Sequence, residues 1–155
     1  MIQRIQSIYL LLAGLAIWAL FLFPVAHNVY IGGVSATIKI TGVYLNSNWH
    51  QTQVQTFTPL IIGAIIMGLL PIILIFLYKN RKRQVTLCYV YILLVIGFSY
   101  WLVQTVKSAV GGFTMDTHNF GIGALLGSIS IILTVMAAKA IQKDEKLVRS
   151  ADRLR

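Results

Sequence analysis

Apolar and polar positions along the chain fall into long blocks instead of alternating residue by residue. Four blocks, residues 8–26, 57–78, 85–106 and 120–138, contain no Asp, Glu, Lys or Arg. A helix rises about 1.5 Å per residue and the hydrocarbon core of a bilayer is about 30 Å thick, so each block has the length a transmembrane helix requires. In lipid the backbone must satisfy its own hydrogen bonds, and a helix does so within one segment. The blocks predict an all-α membrane protein with four transmembrane helices in an antiparallel bundle, a single four-span membrane domain over residues 1–155.

The segments between the blocks add detail. Residues 27–56 form the first exterior loop and carry one charge, Lys39. Within it Ala36, Ile38 and Ile40 alternate with Thr37, Lys39 and Thr41, the period of a strand with one covered face. Val29, Tyr30 and Ile31 precede Gly32 and Gly33, a pair suited to reversing the chain, so a small β-hairpin is expected in this loop. A two-stranded ribbon is marginal in water and needs the helix ends or another chain to lie on. From Asn46 to Thr56 the loop is polar and uncharged, and Tyr44 and Trp49 suit the headgroup layer. Residues 79–84 are too few to separate the second and third helices, which should form a hairpin. Residues 107–119 read as a short exterior loop. Beyond Ala138 the fourth helix is expected to continue into a cytoplasmic tail, 139–155, supported weakly by Glu145 and Arg149 four residues apart. Leu147, Val148, Ala151 and Leu154 share one face of it, suited to the membrane surface or to a partner.

Composition agrees, with 57% hydrophobic and 11% charged residues, which excludes an ordinary soluble domain. A net charge of +9 would suggest nucleic acid in a soluble protein, but here its distribution reads as a topology signal. Every basic residue except Lys39 and Lys107 flanks the same side of the blocks. By the positive-inside rule the amino end, the second loop and the tail are then cytoplasmic. Membrane lipid is the expected partner, and nucleic acid is not. Arg4 ahead of an apolar run has the look of a secretory leader, but Pro24 stands near where cleavage wants a small residue, so the segment is expected to stay as an anchor. Cys88 is the single cysteine. It allows no internal disulfide and reads as a small apolar packing residue.

Little in the blocks suggests chemistry. Proton relays and ion-coupled transporters place ionisable groups within their spans, and these blocks have no charged residue. Gln104 is the most polar interior residue and shares a face of the third helix with Tyr89, Tyr100 and Lys107. These four are the candidate lining of a cavity, with a hydrogen bond to a neighbouring helix as the plainer role for Gln104. Gly123 and Gly127, followed by Thr134 and Ala138, give the fourth helix a small face for close helix packing, and Ala64 and Gly68 repeat the spacing on the second. Ala64, Gly68, Gly123, Gly127 and Thr134 are accordingly the candidate packing or partner interface, more naturally within the chain than between chains. His27, His50 and His118 with Asp116 are exterior but lack a metal-site spacing. No triad, paired-acid or phosphate-loop spacing is present, so neither an enzyme nor a cofactor is expected.

The opening Met1-Ile2-Gln3-Arg4-Ile5-Gln6-Ser7-Ile8-Tyr9-Leu10-Leu11-Leu12 and the ending Lys143-Asp144-Glu145-Lys146-Leu147-Val148-Arg149-Ser150-Ala151-Asp152-Arg153-Leu154-Arg155 resemble a family of small inner-membrane proteins of Bacteroidota, the domain of unknown function 4293. The resemblance extends over the whole chain in length and span order. It implies four spans and a bacterial cytoplasmic membrane, and supplies no activity. Because the distinctive residues lie at both ends, contacts of Arg4 and Gln6 with the tail residues Asp144, Glu145, Arg149 or Asp152 are expected. The functional expectation is a non-enzymatic accessory subunit that binds a protein partner or its own copy. The alternative is a small transporter or lipid-binding protein.

Overall fold

A computed structural model describes residues 2–31, 34–47, 50–78, 80–110 and 119–152. Helix α1, Ile2–Trp18, is followed by a 3-10 turn at Ala19–Phe21, and then by strands β1, Ala26–Ile31, β2, Val34–Lys39, β3, Gly42–Ser47, and β4, His50–Thr56. Helices α2, Thr58–Phe76, α3, Arg81–Val110, and α4, Gly123–Asp152, complete the chain.

Each helix buries one narrow stripe at helical spacing. On α1 it is Leu10, Ala13, Ile17 and, in the 3-10 turn, Leu20; on α2, Leu60, Ala64, Pro71 and Leu74; on α3, Cys88, Tyr91, Val95, Phe98, Leu102 and Val106. On α4 it is Leu126, Ser130, Thr134, Ala137 and Ile141. The opposite faces are also apolar, and they are exposed, as at Ile62, Ile66 and Ile73 on α2 or Leu125, Ile129 and Ile132 on α4. An apolar surface of that extent calls for lipid around it. Helices α2, α3 and α4 are each long and apolar enough to cross a membrane, which marks a membrane protein.

The predicted class needs two corrections. Among the described residues three helices, not four, have the length and apolarity of a span. The block at 8–26 does not run through as one helix. Pro24 lacks a backbone N–H and disfavours helix in the residue before it, and the α-helix ends at Trp18, leaving the rest of the block to the 3-10 turn, an irregular stretch at 22–25 and the first residue of β1. The fold is also not all-α. In place of a small hairpin, the segment between the first two apolar blocks forms a four-stranded antiparallel sheet of order β1-β2-β3-β4. β1 and β2 pair as the hairpin expected around Gly32 and Gly33, which themselves lie outside the described residues. β3 pairs with β2 through Ala36↔Leu45 and Ile38↔Val43, and β4 pairs with β3 through Tyr44↔Gln53 and Leu45↔Thr52. The polar stretch up to Thr56 thus becomes a strand without an apolar face of its own, because the ladder to β3 satisfies its backbone.

Val29, Ala36, Ile38, Ile40 and Val43 form the buried face of the sheet. Several backbone bonds join the sheet to the helices. The Val25 carbonyl accepts from Gly121 N–H at 2.9 Å, the Pro24 carbonyl accepts from Gly123 N–H at 3.0 Å, and the Thr41 carbonyl accepts from Phe57 N–H at 3.1 Å. The sheet is therefore fixed at the end where α1 finishes and α2 and α4 begin.

Candidate functional site

Neighbouring helices run antiparallel, which sets out their contacts in layers. Near the start of α1, Gln6 Nε2 donates to the Ala140 carbonyl at 3.3 Å. Midway, Ser130 Oγ donates to the Ala13 carbonyl at 3.0 Å. With that proton committed, the Tyr91 hydroxyl donates to Ser130 Oγ at 3.2 Å. Thr134 Oγ1 donates to the Ser130 carbonyl at 2.8 Å. These hydroxyls join α1, α3 and α4 in an apolar layer where an unpaired polar group would cost free energy.

At the end away from the sheet, buried Gln84 donates from Nε2 to the Leu74 carbonyl at 2.9 Å and so satisfies an end carbonyl of α2. Arg81 Nη2 stands 3.2 Å from Asp144 Oδ2, joining the first turn of α3 to α4. The nitrogen is off the line a hydrogen bond needs, since Oδ2 is buried and has no hydrogen-bond partner. This contact is an ion pair held by proximity.

At the sheet end an apolar cavity of about 60 Å³ lies between α1, α3 and α4. Ile17, Val25, Phe98, Gly123 and Gly127 line it, and Ser99 and Lys107 are its polar members. A Cβ on Gly127 would come within 2.7 Å of Ser99 Oγ, and one on Gly123 within 2.6 Å of the Pro24 carbonyl. Both glycines therefore mark close approaches within the chain.

The sequence candidates divide among these places. Gly123, Gly127 and Thr134 lie on the buried face of α4, whereas Ala64 and Gly68 on α2 are turned to a different partner. A Cβ on Gly68 would overlap the indole of Trp18, and one on Gly14 would come within 2.7 Å of the Gly68 carbonyl, so the small face of α2 meets α1. Of Tyr89, Tyr100, Gln104 and Lys107, the structure puts Tyr100 and Gln104 in contact and Gln104 and Lys107 on one open depression, while Tyr89 lies apart. Gln104 is exposed and donates to the Tyr100 hydroxyl at 3.2 Å on the outside of α3. Exposed Tyr89 accepts from Gln142 Nε2 at 3.2 Å. Lys107 alone of the four borders the sheet-end cavity. Asp144 pairs with Arg81, and Gln6 meets the backbone of α4 in place of an acidic side chain. Glu145 is half-buried. The side chains of Arg4, Arg149, Asp152 and His50, and all of Asp116 and His118, lie outside the described residues.

Sequence reasoning missed Tyr91, Ser130, Gln84 and Arg81. The signal for the first two was weak but present, since Ser130 lies four residues before Thr134 and shares its face.

Four helices with a strand-built cap at one end, three of them fit to cross a bilayer, define a small helical membrane protein. The chain belongs to the family described as Domain of unknown function (DUF4293), whose model matches residues 2–154. Comparison with curated proteins and with solved structures finds no match.

Proposed function

We propose that this protein is a non-enzymatic accessory component of a bacterial cytoplasmic membrane complex and that it binds a protein partner, either a different subunit or its own copy. The observation that carries this reading is the outer strand of the sheet. Among the described residues β4 pairs only with β3, and Thr52 to Thr56 are exposed. Its sequence, His50-Gln51-Thr52-Gln53-Val54-Gln55-Thr56, holds no Lys, Arg, Asp, Glu or Pro. Edge strands that must stay alone are usually guarded by charge or proline, and an unguarded edge invites another strand.

In the proposed orientation both ends are cytoplasmic and the sheet is exterior, which requires α1 with its 3-10 turn, shorter than the other three and antiparallel to α4, to reach from one side to the other beside it. The basic residues support it, together with the pairing of the two chain ends in space: Gln6 meets Ala140 beside the Arg81–Asp144 pair. Purification of a tagged native copy in mild detergent, followed by mass spectrometry, is expected to recover a stoichiometric partner or a homo-oligomer. A strictly monomeric particle defeats the reading. A reporter fused after Arg155 should be active in the cytoplasm, and activity confined to the periplasm would reverse the orientation.

The second reading, a small lipid-binding protein or transporter, is favoured by Lys107 at the sheet-end cavity. Substitution of Ala124, which also lines it, by Phe would fill the space. Unchanged retention of co-purified lipid in that variant counts against this reading.

A further inference from the structure

Helices α2 and α3 pack against each other more loosely than the other neighbouring helix pairs do. On α3, Leu87, Val90, Leu94, Gly97 and Trp101 follow one another at spacings of three and four, so they form one stripe along the helix. On α2, Gly63, Met67, Leu70, Leu74 and Leu77 form the facing stripe. Between them run two depressions in line, one of about 380 Å³ bordered by Gly63, Leu94 and Trp101, and one of about 140 Å³ bordered by Leu70, Leu77 and Leu87. They share Leu94 and make one apolar crevice, which from Gly63 to Leu77 runs about 21 Å along the helix, more than half the ~30 Å hydrocarbon core. A Cβ at Gly97 would meet nothing within 4 Å, so there is open space beside α3 toward the Gly63 end of the crevice.

One end of the crevice is charged. Extending the α3 stripe by four residues toward the amino end brings it to Arg83, with Lys82 beside it, and both are exposed. The other end is closed by Phe98, whose ring would be 2.9 Å from a Cβ on Gly63 and which stacks edge-on against Trp101 with centroids 6.3 Å apart.

We propose that this crevice is a binding site for an anionic phospholipid, with one acyl chain along the α2–α3 seam and the phosphate at Lys82 and Arg83. The apolar length takes the chain, and Arg83 in line with the α3 stripe, with Lys82 beside it, sets the headgroup at that end against the single cation Lys107 beyond Trp101 at the other. Anionic headgroups gain from basic residues placed at the membrane surface, whereas a zwitterionic headgroup carries its own compensating charge. A partner helix would fill the same volume but has no need of the cations. The site stands apart from the partner-binding reading, so a pull-down without a partner leaves it untouched.

The test is a lipid competition on the full-length protein. Protein delipidated in mild detergent is offered equal phosphatidylglycerol and phosphatidylcholine, and bound lipid is counted by native mass spectrometry. Two well-placed basic residues predict a preference for phosphatidylglycerol of about thirtyfold. The double variant K82Q/R83Q should bring that ratio close to one. The control K143Q/K146Q, which removes two exposed lysines from α4, should leave it unchanged. Gly97→Leu sets its Cβ in open space and projects its side chain into the crevice, and should lower retention of both lipids several-fold at a nearly unaltered unfolding midpoint. The proposal is overturned if the native protein shows no preference, if the α4 control lowers the ratio as far as K82Q/R83Q does, or if Gly97→Leu retains lipid normally.

Discussion

Along the α1–α4 and α1–α2 seams the helices meet through backbone, with Ser130 bonded to the Ala13 carbonyl and Gly14 set against the Gly68 carbonyl. Along the α2–α3 seam bulky side chains hold the helices apart, and Gly97, a residue small enough to allow close approach, faces open space. Both seams are apolar. The difference shows that in lipid apolarity by itself does not bring two helices together, because lipid tails serve as well as leucine, whereas small residues and interhelical hydrogen bonds do. The closed seams give the molecule its shape, and the open one leaves room for something else.

Exchanging the rules of the two seams tests this contrast. The largest effect is expected at Gly68. Gly68→Leu forces a side chain into the Trp18 indole and should destabilise the protein by about 3 kcal/mol or more, read as the unfolding midpoint in detergent. Gly97→Leu in the same assay should cost less than about 1 kcal/mol, and equal losses would erase the distinction between the seams. Ser130→Ala removes the bond to Ala13 and leaves the Tyr91 hydroxyl without its acceptor, for a loss of about 1 kcal/mol. Tyr91→Phe should then add little on the Ser130→Ala background, and full additivity would separate the two hydroxyls.

A smaller effect is expected at the charged end. Side-chain exposures of 28% and 14% for Arg81 and Asp144 keep the pair within reach of solvent. A double-mutant cycle with Arg81→Gln and Asp144→Asn should give a coupling of about 0.5 kcal/mol, shrinking as salt is raised. A coupling that ignores salt would mean the pair is sealed from water. The smallest effect is Gly97→Ala, which should lie within about 0.5 kcal/mol of the native protein, on the stabilising side, since alanine favours helix over glycine and no neighbour opposes it.

The apolar blocks made α2, α3 and α4 legible because the absence of charge over some 20 residues has few readings other than a span. The block at 8–26 misled because a count of uncharged residues does not register where a helix stops, and Pro24 was the available warning. β2 was visible through the alternation of Ala36, Ile38 and Ile40. β4 was not, since its Gln and Thr residues carry no apolar period and it exists through its ladder to β3. Among candidate site residues, the small ones on α4 revealed that they sit at a close approach but not what they approach. Glycine spacing gives a face, and only tertiary structure shows that Gly127 meets Ser99, Gly123 meets Pro24 and Gly68 meets Trp18. Gln104 stood out for polarity in an apolar run, yet a glutamine at the outer surface can be satisfied by its own helix, as Tyr100 does here.

Helix α4 continues unbroken to Asp152, while the last fully buried apolar residue among those described is Ile141. The 11 residues from there to Asp152 carry the helix about 16 Å further at ~1.5 Å each, twice the ~8 Å over which salt water lets charges feel one another. A rod of that reach acts as a boom, carrying the exposed Lys143 and Lys146 beyond the packed helices.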